Sequence, residues 1–335
     1  MTVVTSPEEF NVPDLFVDLT EATGHRLLLK CEGFNFGGSI KLKAAAGMVR
    51  AAEDSGLLRR GATIVESSSG NLGVALSIVA ASRGYGFICV TDPNCTLAAR
   101  RLMQTFGARV QVVTEPDPAE GGFVGARIAR VRRLCAEHLD YVWLNQYENP
   151  QNWGAHFRTT GPEILRAFPD VSVLFVGTGT AGTLMGCARY LRAARPTVKI
   201  VAVDTVGSVT FGGPAAPRMI PGVGSAVRSR LLDEDFVDDV VMVTEAAAAT
   251  ACWALARRGF LFGGSTGTVV SGAADWLERN PAPEGTVLAI APDLGERYLD
   301  TLFQPAWVSE QFGAQVLEGP EPRLAALDAA AADHA

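Results

Sequence analysis

Residues 34–47 read FNFGGSIKLKAAAG, and the position of Lys41 within them decides the fold. Two glycines and a serine lead into a lysine that stands at the start of an alanine-rich helical run. The N-terminal end of a helix carries unpaired N–H groups and a positive dipole end, so it favours serine caps and anions. A cation there is electrostatically misplaced. Either Lys41 is solvated surface, or its amine has a chemical task.

Outward from this stretch, short β-branched runs alternate with helical patterns. ATIVES (62–67) reads as a strand, and GNLGVALSIVAASRG (70–84) as a helix stopped by Gly84. GFICVTD (86–92), ARVQVVT (108–114) and YVWLN (141–145) are further strands, separated by helices over 96–107 and 125–138. The alternation resumes with SVLFVG (172–177), a helix after Gly182, KIVAVD (199–204), VVMVT (240–244), a helix over 246–259 and TVLAIAPD (286–293). Such alternation implies parallel sheets covered on both faces, and near-continuous apolar strands fit that burial. Two groups of units give two α/β lobes with a cleft between them, where ligands sit at the carboxyl ends of strands. The expected division is a large lobe from 1–40 plus 151–312, a smaller mobile lobe from 41–150, and a tail from 313–335. The alanine-rich end, EPRLAALDAAAADHA (321–335), reads as a loose tail or a peripheral helix.

The 335 residues are 48% hydrophobic, enough for a sizeable core, and carry a net charge of −7 without a basic block, which argues against a nucleic-acid partner. Six scattered cysteines without a C-x-x-C pair argue against a zinc site or a disulfide framework and for a reducing cytoplasm. The four histidines show no metal-ligand spacing and read as surface or polar-core residues. No signal pattern opens the chain, and the best apolar run, 74–90, is interrupted by Arg83, so no membrane span is expected.

Four glycine-rich segments punctuate the pattern: GGSIKLK (37–43), ESSSGNLG (66–73), GTGTAGT (177–183) and FGGSTGT (262–268). Each alone reads as a tight turn. Together they say more. The segment 177–183 follows a strand and opens a helix, so its amides converge on an anion, best a phosphate. It matches neither the dinucleotide fingerprint nor the P-loop, whose lysine is absent. A phosphate cradle in one lobe and a misplaced lysine in the other suggest a phosphate-bearing carbonyl cofactor. Pyridoxal 5'-phosphate fits, because its aldehyde condenses with a lysine amine. The helix dipole would help keep that amine neutral when released, ready to act as a base.

The motifs NFGGSIKLK, SSGNLG, NQYENPQNWGAHFRTTGPEI (145–164), GTAGT, GGSTGT and APDLGERYLD (291–300) resemble, in order, those of the pyridoxal-phosphate-dependent cysteine synthase and cystathionine synthase family. The resemblance implies the tryptophan synthase β-subunit-like fold, with the cofactor in the cleft between two open parallel-sheet lobes. It implies Lys41 as the Schiff-base lysine and Asn71 as the partner of the cofactor's ring hydroxyl. Gly179, Thr180, Ala181, Gly182 and Thr183 would form the phosphate loop, and Ser265 would face the pyridine nitrogen. Ser67, Ser68, Ser69, Asn71 and Gln146 would hold the amino-acid carboxylate. A neutral hydroxyl at the ring nitrogen weakens the electron sink and favours prompt β-elimination. The implied reaction is β-replacement on a serine derivative, with Lys41 removing and returning the Cα proton. A homodimer is implied by the resemblance alone.

Finer details, SSSGNLG, TEPDPAEGGF (114–123) and VDTVGSVTFGG (203–213), resemble the branch of N-(2-amino-2-carboxyethyl)-L-glutamate synthases. These join O-phospho-L-serine to L-glutamate on the way to 2,3-diaminopropionate, used in siderophores and peptide antibiotics. The alternative is an O-phosphoserine or O-acetylserine sulfhydrylase. Anionic substrates call for cations in the cleft. Arg127, Arg218 and Arg228 are the candidates, with Tyr147 as a neutral donor. Arg130, Arg132 and Arg133 read as solvated surface.

Overall fold

The computed structural model describes residues 3–117, 121–281 and 283–318. In chain order the elements begin with β1 (Phe16–Asp18), α1 (Thr20–Thr23), β2 (Leu28–Cys31) and α2 (Lys41–Asp54). Next come β3 (Thr63–Ser67), α3 (Asn71–Arg83), β4 (Gly86–Thr91), α4 (Leu97–Thr105), β5 (Arg109–Val112), α5 (Phe123–Glu137) and β6 (Tyr141–Trp143). The remainder is α6 (Pro150–Arg158), α7 (Thr160–Ala167), β7 (Val171–Gly177), α8 (Gly182–Ala194), β8 (Lys199–Thr205), β9 (Asp239–Val243), α9 (Glu245–Ala256), α10 (Gly264–Arg279), β10 (Thr286–Ala291) and α11 (Pro305–Phe312).

The strands form two sheets. The larger has the order β1-β2-β10-β7-β8-β9, and the smaller β5-β4-β3-β6. Every pairing is parallel except β1 with β2, which closes one edge of the larger sheet. Strand β7 shows why its sequence is apolar throughout. Val173 and Phe175 enter the core on one face, Leu174 and Val176 the core on the other. Strand β4 of the smaller sheet does the same, with Phe87 and Cys89 on one side and Ile88 and Val90 on the other. Period-two alternation is invisible in the sequence because both faces are covered by helices.

Two elements depart from expectation. Most of FGGSTGT is not a turn but the start of α10, and Gly264 through Val270 are buried. Its glycines serve packing: a Cβ on Gly267 would stand 2.5 Å from the Ala248 carbonyl oxygen, so α10 rests on the backbone of α9. Ser39 does not cap α2 either. The cap position is Ile40, and the Ser39 hydroxyl is buried without a hydrogen-bond partner among the described residues. The expectation for residues 321–335 lies outside the described residues.

Candidate active site

The loop before α2 is fixed by Asn35. Its Oδ1 accepts from Gly37 N at 2.8 Å, and its Nδ2 donates to the Glu32 and Ser39 carbonyls, both at 3.0 Å. Gly38 adopts φ +58°, a left-handed conformation that glycine takes without strain. This clamp sets Lys41 on the wall of a cleft between the two sheets. The cleft has a volume of about 670 Å³, and Lys41, Ser69, Asn71, Arg127, Gln146, Tyr147 and Thr180 are on its wall. A small annex of about 30 Å³ continues past Lys41 and Asn71 to Gly179, Thr183, Gly222 and Ser265.

Lys41 makes no hydrogen bond or ion pair among the described residues. Burial pushes its amine below the ordinary lysine range, and the Asp293 carboxylate opposes that shift. Loss of hydration lowers its basicity, in the same direction as the helix dipole the sequence suggested.

The 179–183 turn joins β7 to α8. Among the described residues, the backbone N–H groups of Gly179, Thr180, Ala181, Gly182 and Thr183 donate to no protein acceptor. Ala181 holds φ +63°, left-handed for a residue with a Cβ. A Cβ on Gly179 would stand 2.6 Å from the Gly222 carbonyl oxygen, and one on Gly182 would stand 2.1 Å from Asn152 Oδ1. Asn152 Nδ2 anchors the turn through Thr180 Oγ1 at 3.0 Å. Five unspent amides at a helix N-terminus form a receptor for an anion. These residues fit pyridoxal phosphate: amides for the phosphate, an unpaired lysine amine beyond them, and Ser265 between.

Ser265 is 3% exposed, and among the described residues its Oγ reaches only the Pro221 carbonyl, at 3.4 Å. Gly222 lies over it with φ +112°, where a Cβ would stand 2.2 Å from that Oγ. Asn71 opens α3. Its Nδ2 donates to Asp293 Oδ2 and meets the Tyr298 hydroxyl, each at 3.2 Å, while its Oδ1 accepts from Arg297 Nη1 at 2.6 Å.

The serine loop is less uniform than expected. Ser69 lies on the cleft wall. Ser68 also lines it, but its Oγ is occupied by the amides of Gly70 and Gly73, at 3.2 and 2.9 Å. Ser67 is fully buried off that wall, with Oγ 3.4 Å from the Tyr147 hydroxyl and its carbonyl accepting from Gln146 Nε2 at 2.6 Å. Arg127 is 4% exposed and paired with Asp92 at 3.2 Å. Arg218 lines the cleft and donates to the Val223 carbonyl at 3.2 Å. Arg228 is not on the cleft wall; it is exposed and paired with Glu234.

Sequence reading missed Asp293 and Tyr298, although both lie in APDLGERYLD. It also passed over His156, which is fully buried with Nε2 3.3 Å from Thr183 Oγ1 of the 179–183 turn. The signal available was the position of APDLGERYLD directly after an apolar strand, at a carboxyl end.

The fold and this arrangement define a cofactor-dependent enzyme of the two-lobed α/β type. The sequence profile of the pyridoxal-phosphate dependent enzymes matches residues 15–293, and the chain belongs to that family. Pyridoxal phosphate is its cofactor. An N-(2-amino-2-carboxyethyl)-L-glutamate synthase of Cupriavidus metallidurans is 38% identical over 302 residues, 89% of this chain and 87% of that protein. One of Ralstonia nicotianae is 40% identical over 282 residues, 84% and 83% of the two chains. Among solved structures, that of an O-ureido-L-serine synthase superposes with a TM-score of 0.81 at 33% identity, covering 92% of this chain and all of that one, 100%.

Proposed function

We propose that the protein replaces the β-substituent of O-phospho-L-serine with the amine of L-glutamate, giving N-(2-amino-2-carboxyethyl)-L-glutamate and phosphate, a precursor of 2,3-diaminopropionate for siderophore or antibiotic biosynthesis. The observation that carries the reading is the cationic lining of the Lys41 cleft. Arg127 and Arg218 both line this cleft of about 670 Å³, cations that a phosphorylated donor and a dicarboxylate nucleophile call for and sulfide does not. The names of the two synthase relatives support the glutamate-derived product.

Bound pyridoxal phosphate supplies an electron-accepting ring conjugated to the Cα of the amino acid. Lys41 is the base: its weakly basic amine takes the Cα proton as the phosphate leaves Cβ with the bonding electrons. The glutamate ammonium gives one proton to the departing phosphate, its nitrogen forms the Cβ–N bond with the freed lone pair, and Lys41 returns its proton to Cα. Ser69 and Gln146 orient the substrate carboxylate, and Tyr147 donates from the opposite wall. Arg127 and Arg218 hold the phosphate and the glutamate carboxylates. Ser265 would set a neutral hydroxyl beside the ring nitrogen. Residues 41–150, carrying the 67–72 loop, form the smaller lobe that closes on the substrate and excludes water.

The test is incubation of the purified enzyme with O-phosphoserine, glutamate and sulfide in competition, with mass spectrometry of products and assay of released phosphate. The glutamate adduct is expected to dominate. Cysteine without adduct overturns the assignment of the nucleophile.

A further inference from the structure

Beneath the phosphate turn lies an unbroken chain of buried polar groups. Lys30 and Lys43 share the carboxylates of Glu32 and Glu163 at 2.8–3.0 Å. Lys43 Nζ also reaches Thr160 Oγ1 at 3.4 Å. Thr160 Oγ1 is 3.1 Å from His156 Nδ1, and His156 Nε2 is 3.3 Å from Thr183 Oγ1. His156 and Thr160 have no exposed surface.

The direction of each hydrogen bond follows from what the groups can do. An ammonium only donates, so Thr160 Oγ1 accepts from Lys43. The Thr160 hydroxyl hydrogen has one acceptor within reach among the described residues, His156 Nδ1. A buried hydroxyl left unsatisfied is costly, so Nδ1 accepts. Burial and the three nearby lysines hold His156 well below the usual histidine range, so the ring is neutral and its single hydrogen resides on Nε2. Nε2–H then donates to Thr183 Oγ1, and Thr183 keeps its own hydrogen for a further acceptor. Thr183 lines the annex.

We propose that Lys43, Thr160 and His156 are positioning residues that fix the His156 tautomer and thereby aim the Thr183 hydroxyl hydrogen at the anion held by the 179–183 turn. The inference rests on reading that turn as the site of the cofactor's phosphate. The opposite tautomer would turn the Thr183 hydrogen onto Nε2 and present lone pairs to a negative ligand. Each group in the ordered chain polarises the next, so the positive end points at the anion.

The experiment has two arms. In holoenzyme labelled with 15N-histidine, long-range 1H–15N spectra report which nitrogen of His156 is protonated, with His156→Asn supplying the assignment. Protonation at Nε2 is expected; protonation at Nδ1 overturns the proposal, whatever the variants do. In the second arm, serial dilution of holoenzyme gives the dissociation constant of pyridoxal phosphate from the loss of its absorbance. Thr183→Val and His156→Asn should each weaken retention about tenfold or more, as losing a hydrogen bond to a charged group does. The double variant should be no weaker than Thr183→Val alone. His156→Gln, whose amide extends to the Nε2 position, should restore most of the loss, whereas the shorter His156→Asn should not. Weakening by Thr183→Val without weakening by His156→Asn overturns the relay and leaves the reading of the turn intact. No effect of Thr183→Val also overturns the proposal, since the five amides would then hold the anion without the hydroxyl.

Discussion

Asn71 Nδ2 and Asp293 Oδ2 lie 3.2 Å apart and join the two halves of the protein across the cleft. Asn71 heads a helix of the smaller sheet's layer, and Asp293 follows the central β10 strand of the larger sheet. Asp293 has no exposed surface, and burial raises its pKa. What keeps its carboxylate in place is a set of donors: Tyr298 OH at 2.8 Å, Thr266 Oγ1 and N at 3.1 and 3.2 Å, and Asn71. Asp293→Ala strands all of them. The unfolding free energy should fall by about 1–3 kcal/mol for a stranded buried partner, measured by denaturant titration. An unchanged midpoint would show that the latch contributes nothing.

Lys41→Ala should yield a folded, colourless protein. The wild-type enzyme should show an absorbance band near the visible edge that the variant lacks. Compared as apoproteins, the two should be equally stable or the variant slightly more so, because a poorly solvated amine is removed. A coloured Lys41→Ala protein would dismiss Lys41 as the cofactor's anchor.

Gly222→Ala places a methyl group where Ser265 Oγ now stands, on backbone at φ +112°. Both effects act in the same direction. The expected cost is about 1–3 kcal/mol from the backbone conformation alone, seen as a lower Tm. The displaced Ser265 should also reduce the cofactor retained after dialysis. A variant as stable as wild type would mean that the loop over Ser265 yields easily.

Glu66 gives a pH signature. It lies fully buried on β3 and accepts from Trp143 Nε1 and Ser67 N, both at 2.9 Å, yet burial lifts its pKa to about 7 from an ordinary 4.5. The folded state therefore binds this proton more tightly than the unfolded state. Its contribution is fully present below about pH 4.5 and is lost as pH rises through about 7, each pH unit between those two values costing about 1.4 kcal/mol. Chemical denaturation between pH 5 and 8 should show that decline. Glu66→Gln should flatten it, and an equal slope in the two proteins would refute the assignment.

The strands and helices were legible because buried parallel strands are apolar on both faces and glycines end the helices between them. Gly84, for example, adopts φ +74° after α3. Lys41 and the 179–183 turn were legible because a cation at a helix start and a glycine-rich strand-to-helix junction are local features. The serine loop was read too evenly. Only folding separates Ser69, on the cleft wall, from Ser67, which is consumed against Tyr147 and Gln146. Asp293 and the role of His156 were missed because the partners that tie them to the site, Asn71 and Thr183, are distant in sequence. The use of Gly267 for helix contact rather than for a turn also depends on a neighbour, Ala248, that no local pattern announces.

Ala181 has one more bearing on how the protein behaves. Left-handed backbone at a residue with a side chain costs about 1–2 kcal/mol, and Ala181 holds φ +63° at the head of α8. Its methyl group is buried in the core that α8 shares with β7, so tertiary packing offsets the strain. A turn held in that way presents its amides in a set arrangement and spares a ligand the cost of ordering them.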